Sequence, residues 1–190
     1  MTYSDKKNLL QGVVFQTHVL SKGKTDPGIM KKKEQQERDF ERLVERQRQT
    51  IYSVCYLFAN ERQEADDLVQ EVLIRLWKGF DSFEGRSSEK TWVYRVALNT
   101  CVTADKKQRR RLDTSPLEMD VDLFAEEERN PAASRLHQRI SKLHPFDRAL
   151  ILLWLEDLPY DEIAAILGIS IDNVSVRLVR VREKLKKITD

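Results

Sequence analysis

The chain is predicted to be all-α, with two small helical domains joined by an acidic linker. Three observations predict this. Apolar residues recur at steps of three and four along most of the sequence, the period of an amphipathic helix. Six glycines and five prolines in 190 residues are too few for the many turns an all-β fold needs. Charge is segregated as well: residues 106–111 hold five bases, and residues 112–130 hold seven acids opposed only by Arg129. The predicted layout is a flexible extension over 1–30, one domain over 31–111, the acidic linker 112–130 and a second domain over 131–190.

Residues 1–29 contain three of the glycines, and their weak helical pattern (Leu9, Leu10, Val13, Val14) ends at Ser21-Lys22-Gly23. Gly23-Lys24-Thr25 invites comparison with a phosphate-binding loop. The glycine such a loop requires would fall at His18, and Pro27-Gly28 is expected to stop a helix from following, so the motif is rejected. Residues 34–59 read as a helix with Phe40, Leu43, Val44, Ile51, Val54, Cys55 and Phe58 inward. A second helix is predicted over 64–80, and a third from 90 into the basic run, with a short polar loop over 81–89. Asn130-Pro131 makes a helix start, a cap followed by proline in the first turn, and Leu136, Ile140 and Leu143 give that helix its apolar face. Pro145 breaks it, residues 146–156 form another, and Pro159 ends that turn.

Residues 160–187 carry the most informative pattern: a short apolar helix, a Gly168-Ile169-Ser170 break and a longer basic helix. Ile163, Ala164 and Leu167 share a face of the first, and Ala164 is small enough for another helix to cross nearby. Gly168 supplies the positive φ that a sharp helix end needs. Beyond it Val174, Leu178, Val181 and Leu185 form one buried stripe, while Asn173, Ser175, Arg177, Arg180, Arg182 and Lys184 occupy the other faces. This is the layout of a helix-turn-helix whose second helix enters a DNA major groove. A helical hairpin with a solvated Arg/Lys face has the same outline. The six bases against two acids over 171–187, and the small residue before a glycine turn, favour DNA.

Two further helices carry surfaces of interest. On 64–80, Leu68, Val69, Val72, Leu73, Leu76, Trp77 and Phe80 gather on one half as core, and Asp67, Gln70, Glu71, Ile74 and Lys78 on the other. Ile74 is an apolar residue within a polar stripe, the pattern of a protein-protein anchor, although single exposed apolar residues are common. On the third helix Trp92, Arg95, Asn99 and Lys106 lie close to one side, with Thr103 beside them. An indole can stack on a base, bases can hold phosphates and an amide can read a base edge. The loop serines Ser82, Ser87 and Ser88 are placed to enclose an unstacked base. Trp92 taken alone reads better as core, because Val93, Val96 and Ala97 are its neighbours. The 106–111 run, with Lys106, Arg109 and Arg110, reads as a phosphate track beside this stripe.

Several classes are excluded. Cys55 and Cys101 lie on apolar helix patterns as buried thiols and form no metal or disulfide framework. His18, His137 and His144 have no ligand spacing, and there is no carboxylate cluster or phosphate loop for an enzyme. No cofactor or small-molecule substrate is implied. No apolar run approaches a membrane span and no secretion signal opens the chain, so direct membrane insertion is not expected and a cytoplasmic location is.

Three motifs, E-A-D-D-L-V-Q-E-V from Glu64, T-W-V-Y-R-V-A-L-N from Thr91 and D-E-I-A-A-I-L-G-I-S from Asp161, resemble in this order the extracytoplasmic function group of sigma-70 family sigma factors. The resemblance covers about 40–111 (region 2) and 136–188 (region 4). It implies a promoter-specificity subunit rather than an enzyme, with core RNA polymerase and promoter DNA as partners and an anti-sigma protein as its inhibitor. By that resemblance, Asp67, Gln70, Glu71, Ile74 and Lys78 dock on polymerase. The −10 element falls to Ser87, Ser88, Lys90, Trp92, Arg95, Asn99, Lys106, Arg109 and Arg110. The −35 element falls to Asn173, Ser175, Val176, Arg177 and Arg180. The family often has Thr-Val-Lys-Ser-Arg where this chain has Asn173-Val174-Ser175-Val176-Arg177, which removes two expected DNA contacts. The alternative reading is a stand-alone helix-turn-helix regulator whose N-terminal helices sense a signal or dimerise. It predicts independent binding to a palindromic site.

Overall fold

The computed structural model describes residues 27–111 and 131–188. Seven α-helices and no strand occur among the described residues: α1 (Pro27–Phe58), α2 (Arg62–Phe80), α3 (Glu89–Arg111), α4 (Pro131–Ser141), α5 (Pro145–Leu155), α6 (Tyr160–Leu167) and α7 (Ile171–Lys187).

α1 begins seven residues before the predicted start. Pro27 opens the helix, where its missing N–H costs nothing. Pro27 and Gly28 therefore do not prevent a helix from following residue 25, and the rejection of a phosphate loop rests on His18 alone. Gly23-Lys24-Thr25, like the rest of 1–26, lie outside the described residues. All seven inward residues of α1 are buried, from Phe40 to Phe58. Phe40 meets Trp77 and Phe80 edge-on, with ring centroids 5.0 and 5.4 Å away, which fixes α2 against α1. Glu64 reaches back to accept from the Asn60 backbone N–H at 2.7 Å, satisfying a donor at the start of α2. α1, α2 and α3 pack pairwise into a three-helix body.

In the C-terminal body α5 runs almost wholly buried, and α6 and α7 pack across it. The α6–α7 turn follows the predicted chemistry. Gly168 has φ 68° and ψ 36°, and the N–H groups of Gly168 and Ile169 both donate to the Ala164 carbonyl. Ser170 Oγ accepts from the Asn173 N–H at 3.3 Å and caps α7. Val174, Leu178 and Val181 are buried and Leu185 is half-buried, so the stripe exists as read.

The two bodies touch. α1 packs on α4 and α5, and α3 packs on α5 and α6, so their apolar residues form one continuous core. This corrects the assignment of Leu136 to the apolar face of α4. Leu136 is exposed, and the neighbouring His137 is buried, its ring 4.7 Å from that of Tyr56 on α1. The α4 face that turns inward is set by the other body, which the local pattern does not encode.

Candidate nucleic-acid and polymerase interface

The recognition-helix candidates lie together on α7. Asn173, Ser175, Val176, Arg177 and Arg180 are all exposed, opposite the buried stripe. Arg177 is the one held most closely. Its guanidinium lies 4.7 Å over the Phe146 ring, and Nη1 is 3.8 Å from Asp147 Oδ1. Asp147 sits in the first turn of α5, with its side chain 10% exposed. There it also accepts from Lys184 Nζ at 2.8 Å. Phe146 and Asp147 were not singled out in the sequence, because their role depends on α5 crossing α7.

The α3 candidates are arranged differently. Trp92 is half-buried. Its indole stacks on Phe83, with centroids 4.7 Å apart and planes 24° apart, and its Cζ2 fills the space beside Gly79, where an added Cβ would lie 3.3 Å away. Phe83, unmarked in the sequence reading, thus covers one face of the indole. Ser88 is the N-cap of α3: its Oγ accepts from the Thr91 N–H at 3.0 Å and pairs with Thr91 Oγ1 at 2.9 Å. Ser87 Oγ donates to the Ser88 carbonyl. Lys90 and Asn99 are exposed, with the Lys90 ammonium 5.9 Å over the Tyr94 ring. Arg95 is exposed as well but occupied: Nε donates to the Ala165 carbonyl of α6 at 2.9 Å, and Nη2 donates to the same oxygen. Lys106, Arg109 and Arg110 continue α3, which runs to Arg111 as one helix.

On α2 the polar half is solvent-facing as predicted for Asp67, Gln70, Glu71 and Lys78. Glu71 accepts from Arg75 Nε at 2.9 Å, an exposed pair one turn apart that contributes little to stability. Ile74 differs from its reading as an exposed apolar anchor. It is half-buried and packs against the core.

Two buried groups are shifted from their ordinary values. The Cys55 thiol, in contact with Cys101 and deeply buried, is pushed well above its ordinary range, and both thiols are free and buried. Tyr94 is pushed up to about 12 by burial, with Glu156 at the end of α5 adding to the shift and Thr50 opposing it. No cluster of three or more potential metal ligands occurs among the described residues, and no described helix is long and apolar enough to cross a membrane.

Comparison with known proteins agrees with this geometry. The family description "Sigma-70 region 2" matches residues 43–111 and "Sigma-70, region 4" matches 133–185. The RNA polymerase sigma-H factor of Pseudomonas aeruginosa is 30% identical over 166 residues, covering 79% of this chain and 86% of that protein. The ECF RNA polymerase sigma factor SigW of Bacillus subtilis is 30% identical over 165 residues, covering 78% and 87%. The ECF sigma factor SigG of Mycobacterium tuberculosis is 44% identical over 73 residues, a match spanning 38% of this chain and only 20% of that longer protein. Among solved structures, the sigma factor RpoE of Bartonella quintana, crystallised with the anti-sigma factor NepR, superposes with a TM-score of 0.67 at 23% identity over 78% of this chain and 95% of that one. CnrH, solved with the cytosolic domain of CnrY, gives 0.59 at 23% identity over 80% and 87%; both likenesses concern the fold. With both regions matched in order and two relatives aligned over most of their length, the chain belongs to the extracytoplasmic function group of the sigma-70 family.

Proposed function

We propose that the chain is a promoter-specificity subunit that joins core RNA polymerase, directs it to a promoter through two separate DNA elements and helps to open the duplex. The observation that carries this reading is the division of labour between the bodies. α7 displays Asn173, Ser175, Val176, Arg177 and Arg180 on an exposed face over a packed stripe, while α2 displays Asp67, Gln70, Glu71 and Lys78 around half-buried Ile74. The first is suited to reading the −35 element in a major groove. The second is suited to docking on polymerase.

In this reading Trp92, Arg95 and Asn99, with Lys90 and the basic end of α3, meet the −10 element. Ser88 acts by capping α3 and so orienting the loop, rather than by touching a base. The residues carry no chemistry of their own: the catalyst, its metal ions and its nucleotide substrates belong to polymerase, and the chain works in the compartment where polymerase works. RpoE, which shares this fold, was crystallised with an anti-sigma factor, which supports a protein inhibitor as a further partner here.

Run-off transcription with purified bacterial core polymerase on genomic promoter fragments tests the reading. The wild-type chain should direct discrete start sites. Ile74→Ala should weaken association with core by about 1–2 kcal/mol while retaining the helical circular dichroism. If the chain instead bound a palindromic duplex tightly without polymerase and directed no start site, the stand-alone regulator would replace this proposal.

A further inference from the structure

We infer that Phe146 and Asp147, in the first turn of α5, are positioning residues for sequence reading. They hold the Arg177 guanidinium in one pose on the exposed side of α7 and leave its N–H fork free for a base edge. The inference rests on the proposed assignment of α7 to the −35 element. It goes beyond that assignment by naming the residues that decide how sharply one position of the element is read.

Arg177 is attracted by two groups of α5 without giving up its donors to either. Its guanidinium carbon lies 4.7 Å over the centre of the Phe146 ring, a cation–π contact. Nη1 is 3.8 Å from Asp147 Oδ1, within ion-pair range but too long for a hydrogen bond. The side chain is still 48% exposed, so the fork is held in place and open to a ligand. Asp147 is itself fixed. Its side chain is only 10% exposed, and Oδ2 accepts from Lys184 Nζ at 2.8 Å. Arg177 and Lys184 stand seven residues apart, two turns along one side of α7, so a single carboxylate of α5 bridges both. Arg180 makes the contrast. It is exposed on the same helix and has no ion pair or ring contact among the described residues.

The arrangement does little for folding, because an ion pair whose arginine stays half in water contributes little to stability. What it changes is where the guanidinium spends its time. An unrestrained arginine samples many rotamers, and reading a base requires its planar fork to meet one edge at one angle. A loose guanidinium also turns to whichever phosphate is near, which adds affinity without sequence information. Asp147 opposes both tendencies: it holds Arg177 over the ring, and it draws the Lys184 ammonium towards α5 and away from a passing phosphate. Removing the carboxylate should therefore move affinity and discrimination in opposite directions. Loss of folding would lower both.

The experiment uses holoenzyme assembled from the full chain and purified core polymerase. It selects from a duplex pool randomised across the −35 element, the selected DNA is sequenced, and binding to a fixed non-promoter duplex is measured alongside. Arg177→Ala first identifies the position that Arg177 reads. In Asp147→Asn, base preference at that position should fall roughly threefold to tenfold while the other positions keep theirs. Affinity for the non-promoter duplex should rise about two- to threefold as Arg177 and Lys184 are released. Phe146→Leu, which keeps an apolar side chain and removes the ring face, should lower the same preference without raising non-promoter affinity. Adding Asp147→Asn to Arg177→Ala should cost no further preference at that position. Unchanged preference in both Asp147→Asn and Phe146→Leu would overturn the inference and leave α7 as the reader. An equal loss at every position would also overturn it, by reducing Asp147 to a support of the fold. If Arg177→Ala itself altered no position, the fault would lie with Arg177 as a reader, and the inference would fall with it.

Discussion

α3 and α7 are both helices with basic faces, yet they present those faces in opposite ways. On α7 the candidate residues stand out from a domain that buries the opposite stripe, and the one restrained member, Arg177, is restrained within its own body by Phe146 and Asp147. On α3 the indole of Trp92 lies under Phe83, Ser88 is spent on a cap and Arg95 is bonded to the other body. The difference teaches that a basic helix face can be left open by packing within its own body or engaged by packing against another. The two cases respond to different substitutions.

The largest effect should come from removing the packing that presents α7. Leu178→Ala deletes a side chain that is 2% exposed in the α5–α6–α7 core and should cost about 2–5 kcal/mol, measured by denaturant unfolding, with loss of −35 binding as the face loses its support. An unchanged −35 affinity in that variant would break the comparison at its root. Next in size, Arg177→Ala should reduce −35 duplex binding by roughly 1–3 kcal/mol and relax discrimination at one position, without altering compactness. If it lowered affinity equally for all sequences, Arg177 would be a phosphate contact. Smaller again, Gly168→Ala should destabilise by about 1 kcal/mol in thermal melts. The open space around Gly168 leaves only the positive φ to penalise a side chain.

The smallest effect sharpens the α3 side of the comparison. Tyr94 is raised to about 12 from an ordinary value of 10, so its contribution to stability is complete below pH 10 and is lost as pH climbs from 10 towards 12. Ultraviolet titration should show one tyrosine ionising after the others. Part of that shift comes from Glu156 across the junction, so Glu156→Gln should bring the ionisation to lower pH.

Much of this was legible in the residues. Helix period, the proline at the start of α4, the proline opening α5 and the glycine between α6 and α7 are local physics, and they placed those elements to within a residue or two. The stripe of α7 and the inward set of α1 followed from spacing alone. The start of α1 did not, because Pro27-Gly28 reads equally as a helix start or a breaker until the residues after it are known to be helical. Ile74 was read as exposed because a wheel shows one helix alone and not how far the core reaches round it. Leu136 was read as inward for the same reason, and the burial of the neighbouring His137 was not read at all.

By itself the sequence determined that the chain is helical, that it falls into two bodies with opposite charge between them, and that its motifs are those of sigma regions 2 and 4; each of these depends on contacts between residues a few positions apart. Only the tertiary structure decided what α3 faces. The partners of Arg95, Asp105 and Arg148 lie 43 to 70 positions away in the chain. A single sequence holds no periodic signal for such a pairing, which depends on how two finished bodies fit together.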